Sequence, residues 1–181
     1  YMYSIGRGVA ADKTESFMWS RKAAMQGDLV SQYNIAVDYY QGRGVAEDKT
    51  EATKWFRKAA NKGHLKSQAS MGRAYYKGYG VSQNYAEAAS WYTKAAQRGD
   101  IFSQRRLGLM YDQGEGVPQS SATAYDWYKK AAAQDDILSQ KQLGFMYWNG
   151  KGISKDKEKA FYWFRKAARQ GEVGAQRLTA M

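Results

Sequence analysis

Gly42-Arg43-Gly44-Val45 is the stretch that decides the fold, because a similar cluster returns at every 36th residue. The other copies are Gly6-Arg7-Gly8-Val9, Gly78-Tyr79-Gly80-Val81, Gly114-Glu115-Gly116-Val117 and Gly150-Lys151-Gly152-Ile153. Each copy is followed at a fixed distance by a tryptophan and a Lys-Ala-Ala triplet; the tryptophans are Trp19, Trp55, Trp91, Trp127 and Trp163. A fixed period of this length indicates stacked supersecondary units that cover one another's apolar faces. The sequence therefore predicts a repeat solenoid.

Each repeat is predicted to contain two helices, which we call helix A and helix B. In the second repeat, helix A begins after His64 and continues to about Lys77, because apolar and small residues recur there at the spacing of one helical face. Gly78 then ends the helix, since glycine accepts the left-handed conformation of a helix C-terminus. Helix B begins after a residue whose side chain accepts backbone hydrogen bonds. These N-cap residues are Asp12, Asp48, Asn84, Ser120 and Asp156.

Three further local features follow from the repeat pattern. Glu15, Glu51 and Glu87 stand three residues after an N-cap, which is the spacing of a capping box. Asp135 stands where other repeats have glycine, and we expect it to adopt the left-handed conformation at some cost. The recurring tryptophans of helix B are expected to lie in the core.

Composition argues against most catalytic and metal-binding chemistry. With one histidine, His64, and no cysteine, the chain lacks the side chains of multi-histidine and thiolate metal sites, and His64 is interpreted as a helix cap. The Gly-x-Gly clusters are interpreted as turns, since they lack the Gly-Lys-Ser/Thr ending of a phosphate-binding loop. We therefore predict that the protein is not an enzyme and has no catalytic residue, metal or cofactor.

The recurring residues are most complete at Ser103-Gln104, Leu107-Gly108, Tyr111, Gly114, Gly116-Val117, Ala124, Trp127 and Lys130-Ala131-Ala132. This pattern resembles the Sel-one-like repeat (SLR) family, and the resemblance covers essentially the whole chain. It implies an all-α fold: a right-handed α/α superhelical solenoid, related to the tetratricopeptide repeat, as one domain over residues 1–181. It also implies a non-enzymatic adaptor that binds other proteins. Family resemblance favours a bacterial source and a periplasmic or secreted location.

Both ends of the sequence fall inside a repeat. Tyr1 to Ile5 match only the end of a helix A, and Met181 lies in the middle of another. We therefore expect either that the chain is a piece of a longer array or that one of its ends is capped by another element. Because the first helix A is incomplete, Phe17 and Met18 on the first helix B are expected to lose their cover.

The candidate binding surface consists of helix A positions that differ between repeats, because identical positions serve the stack and varying ones are free to contact a partner. The resemblance to tetratricopeptide repeats implies that these residues face the concave side. They are Tyr33, Val37, Tyr40, Arg73, Tyr76, Lys77, Arg105, Leu109, Asp112, Lys141, Phe145 and Trp148. Tyrosine, tryptophan and arginine are enriched in binding hot spots, and Asp112 is the only acid of the set. The set predicts a groove for a protein or peptide partner with acidic and apolar features.

Other functions stay open at this point. The net charge of +11 is compatible with a helical repeat protein that binds nucleic acid, although the varying positions differ too freely in chemistry for a code of one base per repeat. Some cysteine-rich relatives have been assigned β-lactam hydrolysis, but this chain lacks their cysteines and a Ser-x-x-Lys motif in a suitable setting. Among protein binders, the resemblance allows a bacterial adaptor, a host-factor binder or a toxin-immunity protein.

Overall fold

The computed structural model describes residues 12–171, and all the regular secondary structure in that range is α-helical. The helices are α1 (Lys13–Met25), α2 (Leu29–Gln41), α3 (Lys49–Asn61), α4 (Leu65–Lys77), α5 (Tyr85–Gln97), α6 (Ile101–Gln113), α7 (Ser121–Ala133), α8 (Ile137–Asn149) and α9 (Lys157–Ala168). Contacts divide the described chain within α5 into a first unit, residues 12–91, and a second unit, residues 92–171. That all repeats form one domain stays a prediction.

Helices A and B alternate as predicted. The even-numbered helices are helices A, and the odd-numbered helices are helices B. Each helix A ends at a glycine with positive φ: Gly42 at 65°, Gly78 at 71°, Gly114 at 75° and Gly150 at 73°. Because glycine alone adopts this conformation without a steric cost, the first glycine of each cluster within residues 12–171 fixes the end of a helix A.

Each described helix B begins at its predicted N-cap. The backbone N–H three residues further on donates to the cap side chain at Asp12, Asp48, Asn84, Ser120 and Asp156. Helices A are capped in the same way, and the Nδ1 atom of His64 accepts from the N–H of Ser67 at 3.3 Å. The interpretation of His64 as a helix cap is therefore confirmed.

The capping boxes, by contrast, were predicted wrongly at two sites. The backbone N–H of Asp48, which Glu51 was expected to bind, donates to the carbonyl of Tyr39 at 2.8 Å. The Glu51 carboxylate accepts from Lys54 Nζ instead. The backbone N–H of Asn84 donates in the same way to the carbonyl of Tyr75, at 2.9 Å, so Glu87 does not close a capping box either. The start of helix B is thereby tied to the end of the helix A before it.

In three of the clusters within residues 12–171, the second glycine lies against the preceding helix B; these glycines are Gly44, Gly80 and Gly152. A Cβ atom at Gly44 would overlap the carbonyl oxygen of Lys13, and one at Gly80 would overlap that of Lys49. Both glycines also have positive φ, 71° and 66°. These positions accept only glycine because the backbone approaches so closely. The Gly-x-Gly clusters are therefore packing elements, in keeping with their interpretation as turns.

A buried glutamine in each described helix A holds the C-terminal end of the preceding helix B. The Nε2 atoms donate to alanine carbonyls at 3.0 to 3.4 Å. The pairs are Gln32 with Ala24, Gln68 with Ala60, Gln104 with Ala96 and Gln140 with Ala132. Each of these carbonyls also accepts a backbone hydrogen bond from the turn that follows, so the glutamine adds a second bond that ties helix A to the preceding helix B. This contact explains why glutamine recurs at this position.

In α3, α5, α7 and α9, the most deeply buried aromatic side chain belongs to the residue directly after the tryptophan. These buried residues are Phe56, Tyr92, Tyr128 and Phe164. The prediction of core tryptophans holds at Trp91, is only partly right at the half-buried Trp127, and is wrong at Trp19, which is 53% exposed. Lys130 Nζ lies 4.2 Å from the ring centre of Trp127. The recurring Trp-x-x-Lys spacing therefore places a cation over the tryptophan ring, one turn further along the helix.

Small residues in helix A allow these aromatic rings to pack closely. A Cβ atom at Gly108 would lie 2.7 Å from the Tyr128 ring, and one at Gly144 would overlap the Phe164 ring. Close helix approach, predicted from the recurring glycines, is thereby confirmed at both positions. In the first unit, Ala36 occupies the same position and joins the core cluster of Phe56.

Two expectations about individual residues have mixed outcomes. Phe17 is buried against the edge of Tyr39, with ring centres 5.2 Å apart, so its predicted loss of cover is wrong. Met18 is exposed as expected. Asp135 has the predicted left-handed conformation, φ 63°, and its Oδ1 atom pairs with Lys166 Nζ at 3.0 Å. The partial repeats at the two ends lie outside the described residues.

Candidate functional site

In the first unit, four of the predicted binding residues line one pocket of about 160 Å³. Tyr33, Val37 and Tyr40 contribute from α2, and Arg73 contributes from α4. Residues three and four apart share a face of a helix, which is why the three α2 residues point to one cavity. We call this cavity the first-unit pocket.

The inner part of the first-unit pocket is formed by buried residues. Thr53 and Phe56 on α3 and Ala74 on α4 line it and are almost inaccessible to solvent. The Thr53 hydroxyl donates to the carbonyl of Tyr79 at 2.9 Å, and Tyr79 itself lines the pocket. Because this hydroxyl is already bonded within the protein, the base of the pocket is fixed in position and predominantly apolar.

Cations surround an aromatic wall of the first-unit pocket. The Tyr40 ring centre lies 5.7 Å from that of Tyr79, 5.9 Å from Arg73 Cζ and 6.0 Å from Lys49 Nζ. Lys49 pairs with Glu47 at 3.1 Å. Arg73 is exposed, no carboxylate within residues 12–171 pairs with it, and no acidic residue lines the pocket. The pocket therefore combines an apolar interior with a guanidinium that is available to an anionic group.

The two other predicted residues of the first unit do not line this pocket. Tyr76 packs against Tyr85, with ring centres 5.2 Å apart. Lys77 Nζ lies 5.4 Å from the Tyr76 ring centre. Tyr76 and Lys77 thus form a separate aromatic and basic patch at the end of α4.

The second unit has its own pocket, of about 270 Å³, which we call the second-unit pocket. It brings together three predicted residues, Arg105 and Leu109 on α6 and Lys141 on α8. Arg105 Nη1, however, lies 2.7 Å from Asp136 Oδ2 in a pair that is largely shielded from solvent. The Arg105 guanidinium is therefore already held by an internal carboxylate, and its contact with a partner stays a prediction.

Asp112 and the Tyr128 hydroxyl are two further polar groups close to the second-unit pocket. Asp112 Oδ1 pairs with Lys151 Nζ at 2.7 Å. Burial raises the pKa of the Tyr128 hydroxyl far above its usual value, and the negative charge of Asp112 adds to the shift. Tyr128, which lines the pocket, therefore stays protonated and neutral across the physiological range.

Phe145 and Trp148, the last two predicted residues, lie on α8 outside the second-unit pocket and are 37% and 39% exposed. Phe145 packs edge-on against Phe164, with ring centres 5.2 Å apart. Trp148 packs in the same way against Phe161 at 5.9 Å, and Lys157 Nζ lies 5.4 Å from the Trp148 ring centre. Exposed aromatic side chains that are held in place by neighbouring rings are well suited to contact a partner.

Sequence reasoning missed the helix B residues that line both pockets. Phe56 lines the first-unit pocket, and Tyr128 lines the second. A signal was present, because an aromatic residue directly follows four of the five tryptophans. In the first repeat, Ser20 stands at this position and lines a polar cavity together with Asp38 and Arg43.

Residues 12–171 contain no group of three or more His, Cys, Asp or Glu side chains that could hold a metal ion. Within the same range, no helix is both long enough and apolar enough to cross a membrane.

The family model that describes the Sel1 repeat matches the chain five times, at residues 1–28, 29–64, 65–100, 101–136 and 137–172. The chain belongs to the Sel1 repeat family. Members of this family are generally non-catalytic scaffolds that bind other proteins. The all-α solenoid predicted from the sequence is confirmed by these matches and by solved structures.

Two solved structures are similar over nearly the whole chain. A protective antigen of uropathogenic Escherichia coli strains, which displays an SLR fold, has a TM-score of 0.96 and 40% sequence identity over 98% of this chain. A Sel1 repeat protein from Oxalobacter formigenes has a TM-score of 0.92 and 36% identity, also over 98% of this chain. The present chain spans only 38% of the length of the first of these two proteins and 73% of the second.

A more distant structure is an immunity protein from Pseudomonas aeruginosa, with a TM-score of 0.54 and 20% identity over 92% of this chain and 62% of its own. At this identity the likeness shows the fold alone. A comparison of the sequence with curated proteins found no match.

Proposed function

We propose that this Sel1 repeat chain is a non-enzymatic interaction module that binds a protein or peptide through the varying face of its helices A. The observation that carries the proposal is the first-unit pocket, where Tyr33, Val37, Tyr40 and Arg73 from two successive helices A meet over an apolar base. Rigid aromatic rings beside a guanidinium are typical of binding hot spots. The partner has acidic and apolar groups to match them.

A division of labour between repeated and varying positions supports the proposal. Repeated glutamines, glycines and N-cap residues are used in bonds or close contacts within the scaffold. Several varying positions of helix A, including Arg73, Phe145 and Trp148, are exposed instead. Exposed aromatic residues near cations offer apolar contact and charge in one place, which few other functions require.

The proposal includes adaptor, host-factor-binding and toxin-immunity roles, which all need a protein-binding face. The distant likeness to an immunity protein does not favour one of them, since it concerns the fold alone. Binding to nucleic acid is the competing function, and it is an outcome of the test below because the chain carries a net charge of +11.

The test is a selection of random dodecapeptides displayed on phage, run in parallel on the unmodified chain and on matched variants. Tyr40→Ala and Arg73→Ala alter the first-unit pocket. Tyr162→Ala and Arg21→Ala remove the same residue types from exposed positions on α9 and α1, outside that pocket. Thermal unfolding by circular dichroism first checks that each variant folds.

We expect peptides rich in Asp or Glu next to large apolar residues to be enriched by the unmodified chain and by both controls. Enrichment should fall at least about tenfold on Tyr40→Ala and Arg73→Ala, as at a binding hot spot. Equal enrichment on all five proteins would contradict the proposed face. Tight binding of a labelled uridine 20-mer that weakens steeply between about 50 and 200 mM salt, without peptide enrichment, would favour nucleic-acid binding instead.

A further inference from the structure

We propose that the first-unit pocket is a subsite for one phenyl-sized side chain, and that Arg73 pairs with a carboxylate directly adjacent to it in the partner peptide. This inference rests on the proposed function, since it names the chemistry that the same surface recognises. It predicts a peptide motif in which phenylalanine stands next to aspartate or glutamate.

The size and lining of the pocket indicate a single aromatic ring. Its volume of about 160 Å³ is close to that of apolar protein cavities of about 150 Å³ that hold benzene. Buried Phe56 and Ala74 form the base, and the rings of Tyr33 and Tyr40 stand at the sides. An entering phenyl ring can therefore pack edge-to-face against several rings, which is the geometry that aromatic pairs prefer.

Charge complementarity gives the second half of the motif. Arg73 lines the pocket and is exposed, which places its guanidinium at the rim. Arg73 Cζ is 5.9 Å from the Tyr40 ring centre, so an anion held by Arg73 lies close to the cavity. Neighbouring residues of a peptide have Cα atoms about 3.8 Å apart, so a carboxylate next to the buried phenyl group can reach the guanidinium. A guanidinium binds a carboxylate through two parallel hydrogen bonds.

The second-unit pocket lacks this combination. Its lining residue Arg105 is already paired with Asp136 at 2.7 Å. The positions equivalent to Arg73 in α6 and α8 are Leu109 and Phe145, which carry no charge. Arg106 also lines the second-unit pocket, with its Cζ atom 5.2 Å from the Phe102 ring centre. Both arginines of that pocket are half-buried, whereas Arg73 in the first-unit pocket is exposed.

The experiment uses three small probes that separate the two parts of the motif. 3-Phenylpropionate carries the phenyl group and the carboxylate, 3-phenylpropanamide carries the phenyl group alone, and propionate carries the carboxylate alone. Each is titrated into the isotope-labelled chain, and amide chemical shifts in proton–nitrogen spectra give the affinity and the location. The proteins are the unmodified chain, Arg73→Gln, Val37→Trp and the control Arg21→Gln.

3-Phenylpropionate should bind about tenfold more tightly than the amide, because a hydrogen-bonded charge pair is worth roughly that factor. Shifts should centre on α2 and α4, and propionate should bind too weakly to measure. Arg73→Gln should remove the difference between acid and amide and leave the amide affinity within about twofold. Val37→Trp, which fills the cavity, should abolish both, and Arg21→Gln should change neither.

Equal affinity for acid and amide, chemical-shift changes confined to residues away from α2, α3 and α4, or no binding of either aromatic probe would overturn the subsite. Its failure is distinguishable from failure of the proposed function. If the probes fail but selected peptides still depend on Tyr40, the helix A face binds a partner without this motif. If peptide selection also fails, the proposed function itself is wrong.

Discussion

Arg73 lines the first-unit pocket and Arg105 lines the second-unit pocket, at different positions of the repeat and in different electrostatic surroundings. In the first unit, Arg73 faces solvent beside the Tyr40 ring, and no carboxylate within the described chain pairs with it. In the second unit, Arg105 is neutralised by Asp136, which also caps α8 through the N–H of Ser139. The comparison shows that an arginine of helix A that lines a pocket can already be held by a carboxylate of the protein itself, as Arg105 is.

Copies of one helix A position also differ in how closely the backbone approaches the aromatic residue of helix B. Ala36 shares a core cluster with Phe56 in the first unit, whereas Gly108 and Gly144 lie directly against aromatic rings in the second. The same scaffold therefore tolerates a methyl group at one place and excludes it at another. Four predictions test how far this comparison of the units holds.

The largest expected effect on stability concerns the buried aromatic residue of helix B, which is present in both units. Phe56→Ala and Tyr128→Ala should each destabilise the chain by about 3–5 kcal/mol, because each removes a buried ring. Trp127→Ala is the control: Trp127 precedes Tyr128 and is only half-buried, so its loss should lower the free energy of unfolding clearly less. Urea denaturation followed by circular dichroism measures all three. A greater loss for Trp127→Ala than for Tyr128→Ala would restore the tryptophan as the main core residue.

A medium effect on stability is expected at the small residue of helix A that packs against the aromatic residue of helix B. Gly144→Ala should cost about 1–2 kcal/mol, because overpacking against Phe164 exceeds the gain of about 1 kcal/mol in helix propensity. Ala36→Gly in the first unit should also destabilise, by about 1 kcal/mol, through lost propensity. Alanine is thus expected to be favoured at residue 36 and disfavoured at residue 144. Stabilisation by Gly144→Ala would mean that Phe164 moves aside without cost.

A small effect concerns the turn before α8 in the second unit. Asp135→Gly should stabilise the chain by at most about 0.5 kcal/mol, because glycine has no steric cost at a φ of 63°. The exposed pair of Asp135 with Lys166 offsets part of this gain. Differential scanning calorimetry gives the sign. A lowered melting temperature would show that the bonds of Asp135 outweigh its backbone strain.

The smallest effect concerns a polar residue of the first unit. Asp38 stands where the second unit has buried Met110 and Met146, and burial raises its pKa despite the nearby Arg43. A carboxyl whose pKa is higher in the folded state favours folding while protonated, and this contribution is lost as pH rises through the folded pKa. Asp38→Asn, which stays neutral, should therefore slightly raise the melting temperature at pH 7. The advantage should vanish below the ordinary aspartate pKa of about 3.9.

The melting temperatures of the two proteins should be measured by circular dichroism from pH 3 to pH 7. A lower melting temperature of Asp38→Asn at pH 7 would contradict the argument, because the ion pair with Arg43 at 3.3 Å would then outweigh the effect of burial.

The sequence was sufficient for the repeat, its helices and their ends because these depend on local chemistry. Asp48 caps α3 and Gly78 ends α4 for reasons that short-range hydrogen bonding and backbone conformation already contain. Contacts between repeats were harder to predict. The pairing of Arg105 with Asp136 joins residues 31 positions apart, and it engages within the protein a guanidinium that the sequence assigned to the binding surface. Nor does the tryptophan period reveal that the following residue, such as Tyr128, is the more deeply buried.

The most direct test of the central claim compares the two arginines in one binding measurement. A peptide selected by the unmodified chain is labelled with fluorescein and titrated with Arg73→Gln, Arg105→Gln and unmodified protein at a temperature where all three are folded. We predict that Arg73→Gln weakens binding about tenfold without a change in melting temperature, since its guanidinium serves the partner. Arg105→Gln should lower the melting temperature and leave the dissociation constant within about twofold, since its guanidinium serves the fold. Unchanged affinity for Arg73→Gln together with a large loss for Arg105→Gln would contradict the account.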